Sequence, residues 1–458
     1  MTFESETAAI RFGTGLSPDI VPPPNVDEML DRLAGPDQMA ARFPIDGFAR
    51  VEAVIEQTRR LSRAGRENPD IMNETKDHIR NLRKQVRLWQ GDWLRASIAR
   101  SVYTEDGLRE RLTRFWADHF TVEGKRALTR TAVSTYVEDA IRPNITGRFA
   151  DLLKAALFHP MMLLYLDQVN SVGPNSIAAA RKPGRGLNEN LAREVLELHT
   201  LGVNGAYTQT DVYELAKLFA GLTYRRGKGF VYGANMAEPG PETVLGKSYG
   251  GRFQDLLHVT DFLEDLAVNP DTARHLARKL VVHFVDDAPD AGQVEDVAAA
   301  YLASGGDLMA TYRALLEHPA AWNMSAKKVK QPIDFITSSF RALGGEKTDI
   351  TGLGWKHIRN LVMAPLGLMG QPWENPVGPD GWPEEAERWI TPQGLAARIQ
   401  WAMTVPAIIC AEMPDPRRFI DIALGARAGE QLRFAAAGAE SKSDGVGLIL
   451  ASPEFQRT

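Results

Sequence analysis

The chain has 458 residues, 44% hydrophobic and 24% charged, so it can bury a sizeable core and does not have the make-up of a disordered chain. Lys and Arg number 53 against 58 Asp and Glu, and a net charge of −5 gives no general pull toward nucleic acid or an anionic membrane. The one cysteine, Cys410, excludes a disulfide scaffold and a zinc site built from several thiolates.

The opening stretch MTFESETAAIRFGTGLSPDI carries acidic residues where a secretory leader needs Lys or Arg, and it lacks the apolar run of such a leader. No stretch reaches the roughly 18 consecutive apolar residues of a membrane span, so the expectation is a soluble cytoplasmic protein. A helix is expected over 26–34, with Asn25 as its cap after Pro22-Pro23-Pro24. Long amphipathic patterns with Arg-rich faces fill 70–118. The run Arg80 to Arg100, with Trp89 and Trp93, has the composition of a nucleic-acid surface, but on a net acidic chain it reads as a solvated helix face, and no nucleic-acid partner is expected. In Phe115-Trp116-Ala117-Asp118-His119-Phe120 the aromatics suggest burial, and the adjacent Asp118 and His119 point to different sides of a helix. Helices are expected next over 128–142 and 146–158. Asp167 to Asn170, with Gly173-Pro174-Asn175, then places hydrogen-bond acceptors at a helix end.

The densest polar pattern runs from Leu187 to Gly202, a helix stopped by Gly202. At 100° per residue, Asn190, Glu194 and Glu197 share a stripe beside the apolar face. Two carboxylates spaced three apart repel unless a cation, a metal ion or a proton lies between them. They therefore read either as a pair for metal binding or acid–base work, or as an Arg-satisfied structural network. His199 falls on the apolar arc and reads as a core histidine near a helix C-terminus, where its protonated form would be favoured. Arg193 lies one turn after Glu189. Past the Gly202–Gly205 turn, Thr208 and Asp211 form a short capping box, while Tyr207 and Gln209 have no capping role.

Strand signals are thin. Gly229 to Gly233 and Thr243 to Leu245 are expected to make at most one small β hairpin near 229–245. Gly246-Lys247-Ser248 lacks the earlier glycine of a phosphate loop, because Pro241 stands there. Gly246-x-Ser248-x-Gly250 lacks the strand–turn–helix setting of a nucleophile elbow. Further helices are expected from Asn269-Pro270 onward and near 292–304, 307–318, 330–343, 353–364, 394–411 and 416–426. An irregular stretch with Trp373, Trp382 and Trp389 runs from Gly370 to Pro392 and reads as a packed loop. The fold class expected is all-α, with a main helical domain over 1–344 and a smaller helical part over 345–458.

From Leu187 to Tyr224, LNENLAREVLELHTLGVNGAYTQTDVYELAKLFAGLTY resembles the signature of the bacterial family known as domain of unknown function 1800. The segments RFGTGLSP, FWADHFTV, LLKAALFHPMMLLYLDQVNS, HPAAWN, KQPIDFITSSFRALG and LASPEFQRT are similar to further elements of that family. The resemblance implies no established reaction. It implies export for many members and gene neighbours of the domain of unknown function 1501 type, a possible partner. Two readings follow. One is an enzyme, hydrolytic or metal-dependent, with Glu194, Glu197 and His119 as catalytic groups or ligands of a divalent metal ion, bordered by Asn188, Glu189, Asn190, Arg193, His199, Tyr207, Gln209 and Asp211. The other is a non-catalytic helical scaffold acting with such a partner.

Overall fold

A computed structural model describes residues 3–125, 127–182, 184–323, 328–345 and 348–458. They form an all-α fold of many short helices and a few long ones. The helix starts follow local chemistry. Asn25 accepts from the Glu28 N–H at 2.8 Å and opens Val26–Ala34, and Asn269 accepts from the Asp271 N–H at 2.8 Å ahead of Pro270–Phe284. The Thr208–Asp211 capping box is formed on Gln209–Phe219. Among the described residues no helix is long and apolar enough to cross a membrane.

Two antiparallel hairpins interrupt the helices. Leu222–Arg225 pairs with Gly229–Tyr232, and Glu242–Val244 pairs with Lys247–Tyr249. The two expected strands thus belong to different hairpins, because each finds a partner next to it in sequence. Leu245 and Gly246 both have positive φ, at 50° and 78°, the backbone of a tight hairpin turn between Val244 and Lys247. The Gly246–Gly250 stretch is therefore a turn and a strand.

There are two main apolar cores. The larger gathers residues from Ala8 to Trp322; the other joins Ile333–Phe455 residues to Leu94, Ile98 and Val102. The helix Met72–Tyr103 serves both, with Trp93 in the first core and its next residues in the second. Each fully buried Leu or Phe contributes about 1.5–3 kcal/mol. The C-terminal end of this helix meets Arg341, whose guanidinium donates to the carbonyls of Val102 at 3.0 Å and Thr104 at 2.8 Å. A buried cation thereby satisfies carbonyls that have no partner within the helix. Arg142, held by Glu110 at 2.6 Å and Asp37 at 2.5 Å, and Arg100, held bidentately by Glu138, pin the adjoining segments.

Candidate functional site

The signature helix runs as an α-helix over Asn190–Glu194 and widens to a π-helix over Val195–Thr200. The Thr200 hydroxyl donates back to the Val195 carbonyl at 2.6 Å. Widening changes the angular step, so the 100° stripe holds only to Glu194. Gly202, at φ +85°, ends the helix, and a Cβ there would stand 2.8 Å from the His275 ring.

Around this helix several expected site residues hold the fold together. Asn188 receives the Asn190 N–H at 2.9 Å and donates to the Leu166 carbonyl at 3.2 Å. Glu189, Arg193 and Gln209 form a triangle of 2.9–3.2 Å contacts that joins two helices. Asp211 completes the capping box and also accepts the Leu245 N–H at 2.7 Å, tying the second hairpin to the helix. Asn190 is exposed.

Glu194 and Glu197 are half-buried. Burial pushes Glu194 up to about 7, and the charges of Glu197 and Asp380 act in the same direction. Tyr207 lies beside them; burial and the Glu197 charge raise its hydroxyl above its ordinary value.

His119 turns the other way from Asp118, as adjacent helical positions should. Its Nε2 donates to the His199 carbonyl at 3.1 Å, and His275 Nε2 donates to the Leu198 carbonyl at 3.0 Å. Two histidines thus cap carbonyls near the end of the π-helix. The His119 ring packs on Trp116 and Phe120 and lies 6.0 Å from the His199 ring. Burial, then the Lys279 charge, pushes His199 down to about 3, His275 to about 4 and His119 well below its ordinary value. The expected protonated His199 is therefore corrected to a neutral one, because desolvation outweighs the helix terminus. No contact among the described residues joins His119 to Glu194 or Glu197, and no group of three or more His, Cys, Asp or Glu there is arranged to hold a metal ion.

The other side of the helix Gly107–His119, which carries Asp118, opens onto a cavity of about 150 Å³ between the two cores. Its walls include Asp118, Ser134, His283, Asp334, Trp373, Glu374 and Trp382. Asp118 accepts the Trp382 N–H at 2.9 Å. Burial pushes its carboxyl up to about 7; Lys279 opposes that, and Glu384 and Asp380 add to it. Glu374 receives the Ser134 hydroxyl through Oε1 and has the Gln90 side chain nearby, while its Oε2 accepts no hydrogen bond of regular geometry among the described residues. Burial pushes Glu374 up to about 8, against the Ser134 and Gln90 bonds. Its φ of +53° is a left-handed conformation that a non-glycine residue adopts only when its surroundings impose it. The Trp373 Nε1 is also without a partner among the described residues.

The remaining wall is an ionic lattice. His283 Nδ1 lies 2.6 Å from Glu384, and its Nε2 faces Arg111, a pure donor, at 3.4 Å. That fixes a neutral ring with its proton on Nδ1. Glu384 is held well below the usual carboxylate range by His283 and Lys328, which outweigh burial. Asp334 bridges Arg114 at 2.9 Å and Arg111 at 3.4 Å. Those two cations overcome burial and keep it ionised.

Of the cavity's residues, the sequence marked Asp118 only as the neighbour of His119 and did not single out Glu374, His283 or Asp334. Glu374 had an indirect signal, an irregular tryptophan-bearing loop too long to be idle; His283 and Asp334 sit in the helices Pro270–Phe284 and Pro332–Leu343, whose patterns did not single them out. Residues 8–457 match the family described as protein of unknown function (DUF1800). No curated protein and no solved structure matches the chain.

Proposed function

We propose that this chain, which belongs to the protein family of unknown function DUF1800, is an acid–base hydrolase whose reaction takes place in the cavity lined by Asp118 and Glu374. The observation that carries this reading is that both carboxyls face one cavity, neither is in an ion pair among the described residues, and both titrate near neutral pH. A general acid or base works best with a pKa near the operating pH.

Glu374, lifted to about 8, holds its proton at pH 7 and acts as the acid. Asp118, lifted to about 7, is partly ionised there and acts as the base. Asp118 takes a proton from water as the water oxygen bonds to the substrate carbon. Glu374 gives its proton to the leaving group as the bond to that carbon breaks. Each carboxyl finishes in the other's starting state, and exchange with solvent resets both. The paired Arg114–Asp334 and His283–Glu384 groups fix the wall around them.

The Glu194–Glu197 pair, with Tyr207 and Asp380, forms a second acidic patch, and Asp380 acts electrostatically on both Asp118 and Glu194. In this reading the patch tunes the charge near the cavity and the reaction stays with Asp118 and Glu374. The test assays the parent, Asp118→Asn and Glu374→Gln against chromogenic esters, amides, phosphate esters and glycosides. Parent turnover that both variants reduce by about a hundredfold or more, with folding retained, supports the assignment. Turnover unaffected by either change refutes it.

A further inference from the structure

Every arginine in the cavity wall is already matched. Arg100 is held by Glu138 at 2.8 and 3.0 Å, Arg142 by Glu110 at 2.6 and 3.0 Å, and Arg114 by Asp334 at 2.9 Å. No lining cation is free among the described residues, so the cavity has nothing to hold an anionic ligand. Below about pH 6, where Asp118 and Glu374 both hold their protons, the lining charges cancel; the ionised Asp118 that acts as base adds one negative charge, which further disfavours an anion. What the wall then offers is neutral hydrogen bonding: two carboxyl groups, one of them with an unpartnered oxygen, and the unpartnered Trp373 Nε1–H. The rest of the wall mixes the rings of Trp373, Trp382, Pro372 and Pro376 and aliphatic side chains with the neutral polar Thr113, Gln331 and Gln371. About 150 Å³ holds roughly five waters, the space of one small ring.

We infer that the ligand of this cavity is a neutral, polyhydroxylated ring, a sugar unit that lies against the tryptophan faces and hydrogen-bonds to Asp118, Glu374 and the Trp373 indole. Alternating C–H faces and hydroxyl edges meet aromatic faces and polar handles in one pocket. Buried polar groups lacking a partner gain most from a ligand that satisfies them and reject one that does not. This inference rests on the hydrolytic reading, and its bond to be broken is the glycosidic C–O. Water adds to the anomeric carbon and loses a proton to Asp118, while the departing oxygen takes the Glu374 proton. A carboxyl pair is the recurring machinery for that chemistry.

The test titrates the full chain at about pH 6, below the value near 7 at which Asp118 ionises, with methyl glycosides of common neutral hexoses and pentoses, and with glucuronate and glucosamine as charged counterparts, reading heat and tryptophan fluorescence. The expected result is saturable binding of at least one neutral glycoside, with both charged sugars weaker by roughly tenfold or more. Trp373→Phe, which keeps a ring and removes the indole N–H, should weaken that binding severalfold while leaving the melting temperature near the parent's. Binding of none of the neutral sugars overturns the inference, as does tighter binding of a charged one. Cleavage of esters or amides that depends on Asp118 and Glu374 without sugar binding would overturn the substrate class alone. Sugar binding without Asp118- and Glu374-dependent cleavage of any nitrophenyl substrate would overturn the hydrolytic reading on which it rests.

Discussion

The Trp382 N–H donates to Asp118 Oδ1 at 2.9 Å, across 264 residues of sequence, and so fastens the long C-terminal loop to the end of the helix Gly107–His119. The loop can come this close because the preceding residue is Gly381, at φ +80°. A Cβ there would stand 2.6 Å from Asp118 Oδ1 and 2.8 Å from the Asp118 carbonyl oxygen. Gly381→Ala should therefore cost about 1–3 kcal/mol and detach the loop from Asp118. Denaturant midpoints and tryptophan emission read both effects. An unchanged midpoint would show that the loop does not make this approach.

Glu374 should leave a signature in stability against pH. Its carboxyl is lifted from 4.5 to about 8, so between those values the folded chain keeps a proton that the unfolded chain has released. Its contribution is therefore most favourable below pH 4.5 and declines as pH rises to about 8, by about 1.4 kcal/mol per pH unit at most. Buried His119, His199 and His275 titrate with the opposite slope, since the unfolded chain protonates them below their ordinary 6.5 while the folded chain does not. The informative quantity is thus the difference between Glu374→Gln and parent. The variant should gain relative stability steadily from pH 5 to 8, measured by melting at each pH. A pH-independent difference would show an ordinary Glu374.

What was legible in the sequence was local. Asn25, Thr208 with Asp211, and Asn269-Pro270 could be read because each cap and the N–H it serves lie within three residues. The opposite orientations of Asp118 and His119 followed from helical geometry alone. The π-widening at Val195–Thr200 left no trace in the apolar pattern, so the angular step past Glu194 differs from the 100° assumed, although the Glu197 charge still acts on Glu194. Glu374 was invisible for another reason. It stands alone in a Gly- and Pro-rich loop, and its meaning comes from Ser134, 240 residues away, and from burial that only the packed chain supplies.

Asp334 is the sole carboxylate within 4 Å of Arg111 and Arg114 among the described residues. Asp334→Asn keeps the shape and removes the charge, leaving Arg111 buried without its counter-ion. The expected loss is about 3–5 kcal/mol. Replacing Arg111 by Met in the same chain should recover part of it, because the uncompensated charge is then gone. The check is a double-mutant comparison of unfolding free energies. Simple additivity of the two losses would contradict the coupling.

Glu194 separates a structural from an electrostatic role. No ion pair or hydrogen bond ties its carboxyl to another described residue, and the like charges of Glu197 and Asp380, after burial, push it up to about 7 against the smaller pull of Arg193. Were Glu194 the counter-ion of a buried cation, Glu194→Gln would cost about 3–5 kcal/mol. The arrangement found predicts the reverse. At pH 8, where the parent carboxyl is ionised against its neighbours, Glu194→Gln should melt at or slightly above the parent. At pH 5, where the parent holds its proton, the two should coincide. Glu197→Gln should act in the same direction by removing one of the repelling charges. Metal analysis of the same preparations completes the comparison. Because the described residues assemble no group of three or more ligands at this stripe, any metal carried by the parent should be carried equally by both variants. Loss of a stoichiometric metal together with a fall in melting temperature would restore Glu194 and Glu197 as ligands and remove the reaction from the Asp118–Glu374 cavity.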